Sequence, residues 1–285
     1  MQVRKVGTHI GARIEGIDFS VGIDDATVEA VADALYTHQV VSLDATEMTP
    51  EQHLQLARRF GDLEENKTDQ FGDHPTVPQI TVIDSEAGHT ASMWHADETF
   101  LENPPLVNLL HGKQIPATGG DTAFVSTALA YEGLSTKFQE LVDGLEAVHD
   151  YGSLYELAWQ GGADLGALVA DALGKDLIHS HPVVKEHTVT GRKWLTVNTV
   201  YTRFIRGVGR LEGEMLLDLL LRHMQKPEFA FRHRWTEGDL LIWDQQAVQH
   251  YAVNDASERR VVHRIAALAT ATTYAGVGRD AVSAT

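Results

Sequence analysis

The chain has 285 residues, 43% of them hydrophobic and 22% charged, and a formal net charge of −17; it is long enough to bury a sizeable core and ordinary in composition for a folded protein in water. That charge repels phosphate backbones and anionic lipid surfaces at long range. It argues against nucleic acid and membrane as partners, while a local arginine pocket could still hold a small anion. There is no cysteine, so disulfides, thiolate metal sites, iron–sulfur clusters and cysteine nucleophiles are excluded together.

In chain order, the opening residues MQVRKVGTHIGARI have no apolar stretch before a small-residue cleavage site. No run approaches the roughly 18 apolar residues of a membrane span, and a cytoplasmic protein is expected. DDATVEAVADALYTH, Asp24 to His38, has apolar residues at helical spacing, and QVVSL after it reads as a short strand. Thr49-Pro50-Glu51-Gln52 reads as a helix start, with Thr49 as cap, Pro50 at the first helical position and Gln52 at the third; the helix is expected to stop at Gly61. Residues 62–93 are polar and loop-like around the strand candidate QITVID, and are expected to form a loop beside the active site.

From about Val107 onward short apolar runs bounded by Gly, Asp or Pro read as strands: VNLLHG, TAFVS, HPVVKEH, KWLTVN, FRHRW, DLLIWD and VVHRIAAL. Two helical stretches lie among them, STALAYEGLSTKFQELVDGL and GEMLLDLLLRHMQ. The pattern predicts a mixed α/β fold with a mainly β core, a double-sheet jelly roll with surrounding helices. No repeat, low-complexity run or linker divides the chain, so one domain over 1–285 is expected. The apolar helix GEMLLDLLLRHM could serve a homo-oligomer interface.

The segment Met93-Trp94-His95-Ala96-Asp97-Glu98-Thr99-Phe100 carries the most chemistry. On a strand, residues i and i+2 share a face, so His95 and Asp97 could offer an imidazole and a carboxylate to one ion. With 15 histidines in the chain, about one His-x-Asp pair arises by chance, so the pair alone says little. The segment LLIWDQQAVQHYA adds an apolar strand, a turn and then His250, and a loop later RRVVHRI begins a second strand at Arg260. The spacing predicts a hairpin whose limbs face one pocket, with His250 on the metal and Arg260 clamping a carboxylate by a bidentate pair. Two histidines and one carboxylate leave three adjacent positions open, which suits ferrous iron with a bidentate cosubstrate and oxygen. Zinc in the same site would make a hydrolase instead, and a vestigial site would leave a jelly-roll binding protein.

Taken together, RRFGDLE, MWHADETFLENPP, IPATGGDTAFVSTALAYEGLS, HPVVKEHTVTGRKWLTVN, KPEFAFRHRWTEGDLLIWDQQAVQHYA and RRVVHRIA resemble, in order, the TauD/TfdA dioxygenases. The resemblance implies a double-stranded β-helix and an enzyme that couples hydroxylation of a small anionic organic substrate to conversion of 2-oxoglutarate and O2 into succinate and CO2. The substrate implied is a sulfonate, alkyl sulfate, aryloxyalkanoate or amino-acid-like molecule. It implies His95, Asp97 and His250 as iron(II) ligands. Thr122 and Arg260 would hold the 2-oxoglutarate carboxylate, and Arg264 the substrate's anionic group. Tyr155 and Tyr201 fall where the family lines its substrate pocket, although each could equally be a core aromatic, and Thr122 a turn residue. Asn66 stands near a histidine that helps bind sulfonate in the taurine enzyme, which points away from taurine itself. Glu64, Glu65 and Asp69 read as solvated loop charge. The family's usual Trp-Asp-Asn-Arg reads Trp243-Asp244-Gln245-Gln246 here.

Overall fold

The computed structural model describes residues 1–64, 72–87, 91–152, 164, 166 and 177–268. In chain order the strands are β1 (Gln2–Lys5), β2 (Ala12–Glu15), β3 (Val40–Asp44), β4 (Asp62–Leu63), β5 (Gly72–Asp73), β6 (Thr81–Asp84), β7 (Val107–Gln114), β8 (Thr122–Ser126) and β9 (Glu146–Asp150). They continue with β10 (Ile178–Pro182), β11 (Val184–Glu186), β12 (Lys193–Leu195), β13 (Thr202–Ile205), β14 (Ala230–His233), β15 (Asp239–Asp244), β16 (Val248–Ala252) and β17 (Val261–Leu268). The helices are α1 (Asp25–His38), α2 (Pro50–Ala57), α3 (Thr127–Glu132), α4 (Thr136–Val142) and α5 (Arg210–Met224).

Two sheets form the jelly roll. The larger runs β1-β2-β3-β15-β7-β17-β6-β5, with β4 on the end of β17; the smaller runs β14-β8-β16. Phe124, Val248, Leu110, Leu241, Trp243 and Val262 fill the space between them. On the outer face of the large sheet, Val28, Val31, Ala32 and Leu35 of α1 and Leu56 and Ala57 of α2 bury against Val41, Leu43, Leu109, Ile242 and Ile265. Alternation along the strands divides the two cores: Val262 faces inward and Ile265 outward, as period-two geometry requires. A third core joins α5 to β12 and β13 through Leu195, Ile205, Leu220 and Met224. The outward face of α5 leaves Leu211, Met215 and Leu219 exposed. Among the described residues no helix is long and apolar enough to cross a membrane.

The helix starts follow the sequence. Asp24 caps α1 by accepting from the Thr27 N–H, and Thr49 and Gln52 form a reciprocal capping box at α2 with Pro50 at its start. α2 ends at Ala57, short of Gly61, because the chain tightens into turns in which the Arg59 and Phe60 N–H groups donate to the Leu56 and Ala57 carbonyls. Gly61 then lies against the Leu268 carbonyl, where any Cβ would collide. The expected STALAYEGLSTKFQELVDGL helix is two, α3 and α4, broken at Gly133, with Ser135 capping the second. The N-terminal hairpin β1–β2 carries no strong alternation and was not expected; it extends the large sheet through the parallel pairing of β2 with β3.

Residues 62–93 are more than a loop. β4, β5 and β6 add to the large sheet, with β6 pairing Thr81–Asp84 against Arg264–Val261. The expected hairpin between His250 and Arg260 does not form. β16 pairs with β8 in the small sheet, whereas β17 pairs with β7 and β6 in the large one, so residues 253–260 cross between the sheets. The two limbs therefore face one pocket from opposite walls. The β17–β7 register shifts opposite Val261 and Val262, a local bulge whose extra residue is Lys113 of β7.

Candidate active site

His250 lies on β16, opposite Phe124 of β8. His95 is not on a regular strand. It makes a single antiparallel bridge to His250, the His95 N–H donating to the His250 carbonyl at 3.1 Å and the reverse bond measuring 2.8 Å. Asp97 then opens a turn, with Glu98 in the left-handed region at φ 54°. The turn, and not strand alternation, swings the carboxylate beside both imidazoles. Asp97 Oδ1 is 3.3 Å from His95 Nε2 and 3.6 Å from His250 Nε2. Candidate ligand atoms from the three residues lie within 4.8 Å of one another.

The protonation states suit a cation. His95 Nδ1 lies 2.7 Å from the Met93 carbonyl, which accepts its proton and turns Nε2 toward Asp97. Burial, with His95 close by, pushes the His250 imidazole down to about 3, so it is neutral at ordinary pH. Burial opposes ionisation of Asp97, but Arg264, His250 and the His95 hydrogen bond outweigh it and hold the carboxyl well below its usual range. A neutral His250 imidazole and an ionised Asp97 carboxylate are the forms that bind a divalent metal.

Gln245 holds this turn from behind. Its Nε2 donates to the Asp97 carbonyl at 2.8 Å, while its Oε1 accepts from Asn108 at 3.0 Å and from Trp243 at 3.2 Å. Asp244 binds His187 at 2.6 Å in a buried pair, and Gln246 accepts from the Thr188 N–H and hydroxyl. The Trp243-Asp244-Gln245-Gln246 variant is thus a hydrogen-bonded support in which Gln245 fixes Asp97. Beyond the turn, Asn198 donates to the Thr99 hydroxyl at 2.9 Å and caps the Val200 and Tyr201 N–H groups.

A cation site faces the small sheet. Arg260 Nη2 is 3.5 Å from Thr122 Oγ1, and its guanidinium carbon lies 5.1 Å from the centre of the Trp235 ring. Trp235 donates to the same hydroxyl at 3.0 Å. Gly119 and Gly120 have φ of 77° and 69°, and an added Cβ on Gly120 would sit 3.2 Å from Arg260 Cδ, so the Gly-Gly turn lets the arginine pass. Burial pushes the Arg260 guanidinium down to about 10, which still leaves it charged. Its Nε is buried with no partner among the described residues. A buried cation with an unanswered donor fits a carboxylate-bearing cosubstrate such as 2-oxoglutarate; a zinc hydrolase would have no use for it.

Arg264 approaches from β17. Its Nη2 donates to Asp97 Oδ2 at 3.1 Å and its Nη1 to Glu64 Oε2 at 2.9 Å. Glu64 corrects the sequence reading: its side chain is 8% exposed and ion-paired, not solvated, because β4 pairs beside Arg264 on β17. Tyr201 is buried against Phe100 and Tyr151; burial, then the charges of Asp97 and Tyr151, push its phenol up, with Arg264 acting in the opposite sense. It therefore borders the same charged cluster. Asn66 and Tyr155 lie outside the described residues. The supporting roles missed in the sequence, those of Gln245, Trp235, Glu64 and Asn198, fall within the segments that carry the resemblance but rest mainly on contacts distant in sequence.

Comparison with known proteins agrees with this geometry. The family model of the taurine catabolism dioxygenase TauD, TfdA family matches residues 2–266. The chain is 36% identical to an alkylsulfatase of Acinetobacter baylyi, over 96% of this chain and 87% of that protein. It is 33% identical to an alpha-ketoglutarate-dependent sulfate ester dioxygenase of Pseudomonas putida, over 93% and 88%. The crystal structure of a taurine dioxygenase from Burkholderia xenovorans superposes with a TM-score of 0.79 at 31% identity, covering 94% of this chain and 91% of that one. The protein belongs to the TauD/TfdA family of iron(II)- and 2-oxoglutarate-dependent dioxygenases, using O2 as the second cosubstrate.

Proposed function

We propose that this dioxygenase oxidises a small organic anion, with an alkyl sulfate ester as the favoured class. The observation that carries the reading is Arg264: a side chain 14% exposed, with its guanidinium 3.1 Å from the Asp97 carboxylate. A buried arginine at that distance would hold a substrate's sulfate with its neighbouring carbon beside the metal. The buried ring of Tyr201, whose phenol feels the charges of Asp97 and Arg264, suits an apolar chain. The names of the alkylsulfatase and sulfate ester dioxygenase relatives support the same class.

In this reading His95, Asp97 and His250 hold iron(II), which when bound supplies oxygen activation. Arg260 and Thr122 orient 2-oxoglutarate through its distal carboxylate. Gln245 keeps Asp97 in place, and Arg264 positions the substrate. Asn66 and Tyr155 are proposed to complete the substrate pocket. The overall balance is 2-oxoglutarate, O2 and R–CH2–OSO3⁻ giving succinate, CO2, the aldehyde R–CHO, sulfate and a proton. Hydroxylation places an oxygen on the carbon that carries the ester, and the C–O bond to sulfate breaks as the carbonyl forms.

The test is a substrate screen with purified protein, iron(II), ascorbate and 2-oxoglutarate. Alkyl sulfates of increasing chain length should yield succinate and inorganic sulfate in equal amounts, and taurine should yield neither succinate nor sulfite above background. Succinate without sulfate, or turnover confined to sulfonates or carboxylates, would overturn the sulfate-ester assignment.

A further inference from the structure

Arg264 is the group to which the sulfate-ester reading assigns the substrate's anion, yet both of its terminal nitrogens are engaged. Nη1 pairs with Glu64 at 2.9 Å and Nη2 with Asp97 at 3.1 Å. One guanidinium shared by two carboxylates is a cluster of net negative charge, and it repels a further anion.

The two carboxylates differ in what else they serve. Asp97 turns Oδ1 to His95 and His250, so a bound metal claims most of its charge. Glu64 lies outside the group that could hold the ion, and it pairs with Arg264. Its main chain is fixed: the Glu64 N–H donates to the Ala266 carbonyl at 2.9 Å, continuing the pairing of Leu63 with Ala267. Displacing the carboxylate from Arg264 therefore asks for side-chain rotation and not for movement of the strand. Glu64 also lines an open cleft with Arg58, Gly61, Pro78 and Gln79, which gives the rotated side chain a solvated place to go.

We propose that Glu64 is a specificity-determining residue, a placeholder carboxylate that occupies the anion position on Arg264 until an anionic substrate displaces it. This rests on the reading of Arg264 as the substrate's anion anchor. Every anion must then overcome the same competitor. A bare inorganic anion has only its charge with which to do so, whereas an alkyl sulfate adds the burial of its chain near Tyr201. Glu64 thereby favours the organic ester over the free sulfate that the reaction releases.

The test is calorimetric titration of the full-length protein with sodium sulfate and, separately, with hexyl sulfate, with no turnover required. Glu64→Gln removes the charge and keeps the shape. It should bind inorganic sulfate about tenfold or more tightly than the wild type, because a like charge is removed from a partly desolvated site. Adding Arg264→Met to that variant should abolish the gain. Unchanged or weaker sulfate binding by Glu64→Gln, with a cooperative thermal melt retained, would overturn the proposal; if that variant melts early, Glu64→Ala is read by the same criterion. The anchor reading is tested separately. If Arg264→Met alone binds hexyl sulfate as well as the wild type, the anchor fails whatever Glu64 does; if it loses binding while Glu64→Gln gains none, only the placeholder fails.

Discussion

β17 carries Arg264 on the face toward His95, Asp97 and His250, and His263 on the opposite face, where it pairs across the sheet with His111. The His53 ring lies 5.8 Å from that of His111, and the His74 ring 5.0 Å from that of His263. Both faces thus gather imidazoles, but they are not alike. On the inner face Asp97 stands between two histidines. On the outer face burial, with Lys113 nearby, pushes His111 and His263 down to about 4; both His53 ring nitrogens are buried without partners among the described residues. The carboxylate that acts on His111, Asp239, is itself engaged with Arg13 and His233. Proximity of histidines therefore does not make a metal site. A carboxylate kept ionised by a neighbouring cation, and imidazole nitrogens aimed at it, do.

The difference can be broken most sharply by removing one histidine from each face. His250→Ala should lower 2-oxoglutarate turnover by about a thousandfold or more and strip iron from the purified protein, whereas His111→Leu should leave iron content unchanged. Elemental analysis of both variants decides it, and equal metal loss would erase the distinction.

A smaller effect concerns stability against pH. The folded-state pKa values of His111 and His263 lie below that of a free imidazole, so between about pH 6.5 and 4 the unfolded chain binds more protons than the folded one. Stability is therefore full above about pH 6.5 and falls as pH drops. For fully buried His111 the loss amounts to about 3 kcal/mol. His149 and His181, near 3 and 4, act in the same direction. Urea midpoints at pH 7.5, 6 and 5 should fall in the wild type and fall less in His111→Leu; equal slopes would contradict the assignment.

The smallest effect contrasts two partly buried cations. Arg260→Gln should raise the KM for 2-oxoglutarate about tenfold, with a lesser change in kcat. Lys113→Gln, on the outer face, should change neither. A normal KM in Arg260→Gln would remove Arg260 from the cosubstrate clamp.

Much of this was legible in the sequence because it is local. The caps at Asp24 and Thr49 and the apolar runs of β7, β15 and β17 depend on neighbours within a few residues. His95, Asp97, Thr122, His250, Arg260 and Arg264 were legible as ordered motifs. What was hidden depends on pairing between distant segments. Spacing could not tell a hairpin from two strands on opposing sheets, so β16 and β17 were misjoined. Glu64 looked like loop charge because β4, which sets it beside Arg264, is only two residues long. Gln245 and Trp235 act through hydrogen bonds to residues 148 and 113 positions away.

The bulge opposite Val261 and Val262 bears on how this gene can change. Because side chains alternate along β17, a slip of one residue would turn His263 toward Asp97 and Arg264 toward the outer core, exchanging the two faces at once. The bulge puts its extra residue, Lys113, in β7, so β17 itself keeps one phase along its length. Along it, point substitutions remain separable experiments for evolution, each altering one face, whereas a single-codon insertion or deletion would rewrite both. Length variation in this enzyme should therefore collect in the crossing before Arg260 and be absent from the strand that follows.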